Sequence, residues 1–233
     1  MSSTPVPPIS PAAEASEAEE PTCLRVLIAE FNLADSHMYP PGVELFRQDS
    51  SPAYVYFMES GVAKLTRYEE NGGEFIFDIR FPGSLLGSEA AIRKAPHPFS
   101  AVTATSCRLS QVTTRQFLGL LSTEPKLAVF IQSNLSAQLL NQVARMSEIA
   151  CLPARLRLEQ LLWKIAQHEG GCETMNFKLQ FPIRHWEAAQ LLAITPTYLS
   201  RLLADLETEE IISRKGGWIV LHNPSGLWHR LNF

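Results

Sequence analysis

The stretch ITPTYLSRLLADLE, residues 194–207, holds the residues whose types and spacing point most directly to chemistry. Leu199, Leu202, Leu203 and Leu206 recur at i, i+3, i+4 and i+7, which makes one apolar stripe of a helix. Thr195 and Pro196 suit the helix start: a threonine hydroxyl caps an early amide, and proline lacks an N–H that the first turn does not use. Thr197, Ser200, Arg201, Ala204 and Thr208 fall on the other side, with Tyr198 beside them. An ordinary solvated face carries Glu and Lys. A slim face of hydroxyls with one arginine fits a DNA major groove about 12 Å wide, where an arginine forks onto guanine O6 and N7. The chemistry implied is hydrogen-bonded recognition. No serine, cysteine or carboxylate constellation suggests catalysis, so the chain is not expected to be an enzyme.

Other elements must hold that helix. RHWEAAQLLA, 184–193, reads as a preceding helix with Arg184 and His185 at its N-terminus, where a first helix meets phosphate. IISRKGGWIVLHN reads as two short strands about a Lys-Gly-Gly turn, which places Arg214 and Lys215 at a hairpin tip. Helix, strand, helix, tight turn, helix, hairpin is the order of a winged helix-turn-helix, assigned to 153–233. Residues 152–233 carry nine Lys or Arg against eight Asp or Glu, so basic groups for a polyanion must be clustered locally.

Upstream the punctuation changes. PPG, SG, NGG and FPGSLLG break residues 40–115 into β-branched and aromatic runs such as AYVYFME, VAKLTRY and EFIFDIR. Asn71-Gly72 is a hairpin signal, because both residues tolerate positive φ. About eight short strands with regular turns imply a β-roll, sandwich or barrel over 23–123. Apolar residues then recur helically from Ala128 through Ile131, Leu135, Leu139, Val143 and Met146 to Ala150, within a segment 124–152 that Pro153 ends. A helix of about 28 residues is about 42 Å long, more than a small β domain needs as a cover. Leu135, Leu139, Val143 and Met146 are therefore expected as knobs of a two-fold dimer seam, with a hinge at Leu152–Pro153. The fold class expected is α+β.

Bulk properties set limits. Net charge is −4 over 233 residues. The first 22 residues hold four Glu, five Pro and no Lys or Arg, a composition expected to form a disordered tail. No signal peptide is visible, and the most apolar segment, 127–144, carries too many Gln, Asn and Ser side chains for lipid. The four cysteines, Cys23, Cys107, Cys151 and Cys172, are widely spaced, which fits cytoplasmic thiols and no zinc or iron–sulfur site. Apolar neighbours suggest that Cys107 and Cys151 are buried. Six scattered histidines form no HxH or HxxxH pair, so no metal site is expected. No cofactor is expected either; for a haem-based gas sensor, His37 or His97 would be the axial ligand.

Taken in combination, the Gly-spaced roll, GSLLG, PHPFSAV, the long helix and AAQLLAITPTYLSRLLADLETEEIISRKGGWIVLHN resemble the Crp–Fnr family, over roughly residues 24–225. The resemblance implies a homodimeric bacterial transcription regulator, with a sensing β-roll and a winged helix that binds a palindromic promoter. RNA polymerase would be a further partner if it activates. Cyclic-AMP binders of the family place a Glu directly after the Gly of their GE motif and an Arg before a Ser. Here those positions hold Ser88, after Gly87, and Phe99, before Ser100; Glu89 lies one place on. A buried phosphodiester without an arginine lacks its charge-assisted bonds, so a signal other than cyclic AMP is expected at Gly87, Ser88, Glu89, Phe99 and Ser100. In the reading helix Ser200 and Arg201 match the family's oxygen-regulator branch. Thr197 stands where a Glu would accept from cytosine N4, and Ala193 where the turn usually has Gly. The DNA-contacting set expected is Arg184, His185, Thr195, Thr197, Tyr198, Ser200, Arg201 and Lys215. The competing reading is a ligand-binding roll whose helical domain docks a protein instead of DNA.

Overall fold

The structure, a computed structural model, describes residues 36–70, 72–171, 174–180, 182–216, 218–224 and 227. The acidic N-terminal tail, Asn71 of the hairpin turn, Cys23 and Cys172 lie outside the described residues. Eight strands, β1 Ser36–Tyr39, β2 Glu44–Phe46, β3 Tyr54–Ser60, β4 Ala63–Tyr68, β5 Glu74–Arg80, β6 Leu85–Leu86, β7 Ser100–Thr103 and β8 Cys107–Thr113, form two antiparallel four-stranded sheets. Their orders are β1-β8-β3-β6 and β2-β7-β4-β5. The period of two in β3 explains how both its faces are buried. Tyr56 and Met58 point into the roll with Leu65, Leu86 and Leu109. Val55 and Phe57 point outward, under helices α1 Ser88–Arg93, α2 Thr114–Thr123 and the start of α3 Pro125–Cys151.

Local rules fix the helix ends. Thr113 and Gln116 make a reciprocal capping box at the start of α2, with the Gln116 N–H donating to Thr113 Oγ1 at 3.2 Å. Pro125 begins α3, whose 27 residues run on well beyond the roll's core contacts at Leu127 and Ile131. After Leu152 and Pro153 come α4 Ala154–His168, β9 Phe177–Gln180, α5 His185–Leu191, α6 Pro196–Thr208, β10 Ile212–Lys215 and β11 Trp218–Leu221. The last three strands form one antiparallel sheet, β10-β11-β9, the wing.

Roll and winged domain share a core. Val62, Ile76, Ile79 and Phe81 of the roll cluster with Leu158, Leu162, Ile165, Leu191, Leu203 and Leu221 of the winged domain. Phe81 stacks on His168 at 4.0 Å between ring centroids. Leu227, from the C-terminal LWHRLNF segment, is buried in the same cluster.

The turn between α5 and α6 places the reading helix. Ala193 takes φ +51°, the left-handed conformation that an L side chain adopts only at a cost. Two bonds hold it there: the Ala193 N–H donates to Gln190 O, and the Ile194 N–H to Ala189 O, both at 3.0 Å. These are the paired bonds of a Schellman motif, which glycine usually completes. The turn that usually holds glycine is therefore built here at the cost of strain at Ala193. Replacing Ala193 with Gly is expected to stabilise the protein by about 1 kcal/mol, and Ala193→Val to destabilise it, as read from chemical-denaturation midpoints.

Candidate nucleic-acid interface

Helix α6 is anchored by its stripe: Leu199, Leu202, Leu203 and Leu206 are all buried. Thr195 Oγ1 accepts from the Tyr198 N–H at 3.2 Å, the cap read from the sequence. With the inner stripe and the first turn fixed, the rest of the helix is presented outward. Thr195, Pro196, Thr197, Tyr198, Ser200, Arg201, Ala204 and Thr208 are all exposed. The Ser200 hydroxyl donates to Pro196 O at 3.1 Å and lies 3.3 Å from His185 Nε2. That contact brings the first helix of the motif against the second, so two residues singled out separately sit side by side. Arg201 makes no ion pair among the described residues, and its guanidinium donors remain available for a base edge.

The flanking cations divide. Arg184 and His185 are exposed at the N-terminus of α5, and the Arg184 N–H donates to Glu187 Oε2 at 2.7 Å. Lys215 is exposed on the wing opposite Trp218. Arg214, grouped with Lys215 in the sequence, serves the protein's own packing. Its Nη2 donates to Glu207 Oε2 at 2.6 Å and its backbone N–H to Glu207 Oε1 at 2.9 Å. It ties the wing to the end of α6. A wing cation absent from the sequence-derived set is Lys178, whose Nζ lies 4.2 Å above the Trp218 ring. Only the β9–β11 pairing brings these two together.

On the sensor side, Gly87 takes φ +82°, and a Cβ there would meet His97 Cε1 at 3.1 Å and Tyr54 O at 3.2 Å. Ser88 is buried, with its hydroxyl directed at Glu89 Oε2 at 3.4 Å, and burial pushes the Glu89 carboxyl above its ordinary value. Ser100 is buried, and its Oγ accepts from the Gln48 N–H at 2.9 Å. Phe99 packs between Phe46 and Phe77, at centroid distances of 6.2 and 5.2 Å. The His97 ring lies face to face with Phe46 at 3.9 Å, and burial lowers its pKa. Five residues grouped by sequence therefore do sit in one region, walled by aromatic rings.

Along α3, Leu139, Val143 and Met146 are 65%, 56% and 71% exposed, large values for apolar side chains. With Val129, Gln132, Ser136 and Ala150, also exposed, they repeat at alternating steps of three and four, the heptad pattern of a coiled-coil seam. Leu135 departs from the expected set. It is half-buried against the roll's outer core of Phe117, Leu127 and Ile131, because its position on α3 faces the roll instead of the seam. Cys107 is buried as expected; Cys151 is exposed, because the last turn of α3 leaves the roll behind.

Two family models match this chain: a cyclic nucleotide-binding domain over residues 36–124 and a Crp-like helix-turn-helix domain over 156–230. The global nitrogen regulator of Synechocystis sp. is 26% identical over 212 residues, covering 87% of this chain and 94% of that protein. The cAMP-activated global transcriptional regulator CRP of Haemophilus influenzae is 21% identical over 187 residues, covering 80% of this chain and 83% of its own length. Among solved structures, FixK2 from Bradyrhizobium japonicum superimposes with a TM-score of 0.72 at 20% identity, covering 86% of this chain and 98% of that one, a likeness of fold. A sensor domain and a Crp-like reading domain on one chain, joined by a long helix with an open apolar seam, make this protein a DNA-binding transcription regulator of the Crp–Fnr family.

Proposed function

We propose that the regulator works as a homodimer on a palindromic promoter site, under a signal other than cyclic AMP. The observation that carries this reading is the outer face of α6, where Arg201, free of ion pairs among the described residues, stands among Thr197, Tyr198 and Ser200 on a helix fixed from within. Arg201 reads guanine in the major groove; Thr197, Tyr198 and Ser200 touch bases or phosphates beside it. Thr195, Arg184, His185 and Lys215 set the register on the backbone. The exposed seam of α3 supports the dimer, since a row of Leu139, Val143 and Met146 left in water is unfavourable and pairs well with its own copy. In the dimer the two reading helices sit about 34 Å apart, one turn of DNA.

The aromatic wall of Phe46, Phe77 and Phe99 supports the choice of signal, because Phe99 stands where the resemblance puts the arginine that pairs with a cyclic phosphate. The reading includes no haem: of the two candidate ligands, His37 is exposed on β1 and the His97 ring stacks face to face on Phe46. No helix among the described residues is long and apolar enough to cross a membrane. The proposed setting is the cytoplasm, with RNA polymerase as a further partner if transcription is activated, and with recognition but no catalysis.

Selection of bound duplexes from a random pool should return a palindrome with half-sites one helical turn apart. Recovery of no preferred sequence, or binding indifferent to salt, would point to a protein partner instead. Arg201→Ala should cost about 1–3 kcal/mol on the selected site and relax its guanine preference, with little change on random DNA, in anisotropy titrations. Val143→Glu with Met146→Glu should shift the protein from dimer to monomer in sedimentation equilibrium; a dimer that persists would place the interface elsewhere.

A further inference from the structure

The first helix of the reading head carries contacts that DNA recognition does not use. Glu187 is 1% exposed and forms an ion pair with Lys64 Nζ, which projects from β4 of the roll. Gln190, one turn on, meets the backbone of β5, the edge strand of its sheet. The Ile76 N–H donates to Gln190 Oε1 at 3.0 Å, and Gln190 Nε2 donates to Glu74 O at 3.2 Å. One side-chain amide thus completes a strand edge that would otherwise leave a donor and an acceptor open. The helix's C-terminal carbonyls are held as well: Arg145 of α3 donates to Leu191 O at 2.8 Å, and Arg157 of α4 to Leu192 O at 2.9 Å. Arg145 lies between Val143 and Met146 of the exposed seam.

These contacts leave the DNA face uncovered. Arg184, His185, Thr197, Ser200 and Arg201 remain exposed while α5 is docked. The docked arrangement thus keeps the residues proposed to meet DNA open to solvent. We infer that Lys64, Glu187 and Gln190 are positioning residues for DNA binding: they clamp the reading head to the roll's edge strand, and in the dimer they hold the two recognition helices at one spacing. The inference rests on the dimer-on-palindrome reading above. Its physical basis is effective concentration. Once one head is bound, a clamped second head already faces its half-site, whereas a head free on the Leu152–Pro153 linker samples many orientations and binds more weakly.

The test uses the full chain, with the double variant Lys64→Met/Glu187→Gln and, separately, Gln190→Ala. The double variant removes both charges, so no lone ion stays buried, and the amide oxygen introduced by Glu187→Gln can still accept from the Arg184 N–H. Gln190→Ala removes two hydrogen bonds and no charge, and it serves if the double variant does not fold. Three duplexes are titrated: the selected palindrome, the same duplex with one half-site scrambled, and one with two base pairs inserted between half-sites. The wild type should prefer the palindrome over the half-site by about a hundredfold or more. Each variant should lose about tenfold or more of that preference and discriminate less against the altered spacing, while half-site affinity stays unchanged. A purely structural role would not move spacing tolerance. A wild-type preference that persists in folded, dimeric variants overturns the clamp alone, and so does a rise in palindrome affinity. A wild type with no preference for two half-sites overturns the dimeric reading and the clamp with it.

Discussion

The outer face of β4 and β5 is where the molecule's two halves become one structure. Val62, Ile76, Ile79 and Phe81 leave the roll's own interior and enter a core otherwise built from the winged domain. Helix α5, seven residues long, is too short to be stable alone, so its position is borrowed from that packing. The Lys64–Glu187 pair lies at the border of this core, at 15% and 2% side-chain exposure. Removing two charges from water costs several kcal/mol per ion, and the attraction offsets this only with further hydrogen bonds. Glu187 has one, from the Arg184 N–H. Such a pair adds little net stability compared with apolar residues. It does penalise any docking that leaves one charge alone, and this favours a single orientation of α5.

From that orientation the reading surface follows by short steps. Ala189, Leu191 and Leu192 of α5 and its end are buried with the leucine stripe of α6. The strained turn at Ala193 fixes the path between the two helices, and Ser200 and His185 close the outer side. The wing is braced independently, by Glu207 to Arg214 and by Lys178 over Trp218. Arg214 and Arg201 are both exposed, but Arg214 is paired with Glu207 while Arg201 makes no ion pair among the described residues. Neighbouring contacts, and not residue type, separate them.

The sensor shows the same logic by subtraction. A roll that holds a cyclic phosphate needs fixed positive charge in a buried place. Here Phe99 packs between Phe46 and Phe77, and the Ser100 hydroxyl beside it accepts from the Gln48 N–H. Gly87 takes a left-handed φ of +82°, and a side chain there would crowd His97 and Tyr54 O.

Much of this was legible in the sequence, because it depends on near neighbours. Period-two runs marked the strands of the roll, period 3.6 marked the helices, and Thr195-Pro196 marked the start of α6. Leucine spacing fixed which side of α6 is buried, and thereby which residues face out; residue types at 88 and 99 argued against cyclic AMP. What the tertiary structure decided joins residues distant in the chain. Leu135 belongs to the roll's outer core, although its apolar spacing grouped it with Leu139, Val143 and Met146, because each side of α3 meets a different neighbour. Arg214 and Lys215 are adjacent basic residues, but only Arg214 has Glu207 within reach. Lys64, Glu187 and Gln190 carried no signal as a group, since 123 residues separate Lys64 from Glu187. Local periodicity determines what an element is and which face it buries. Which partner covers that face, and which charge meets which, is settled only when the sheets and helices close on one another.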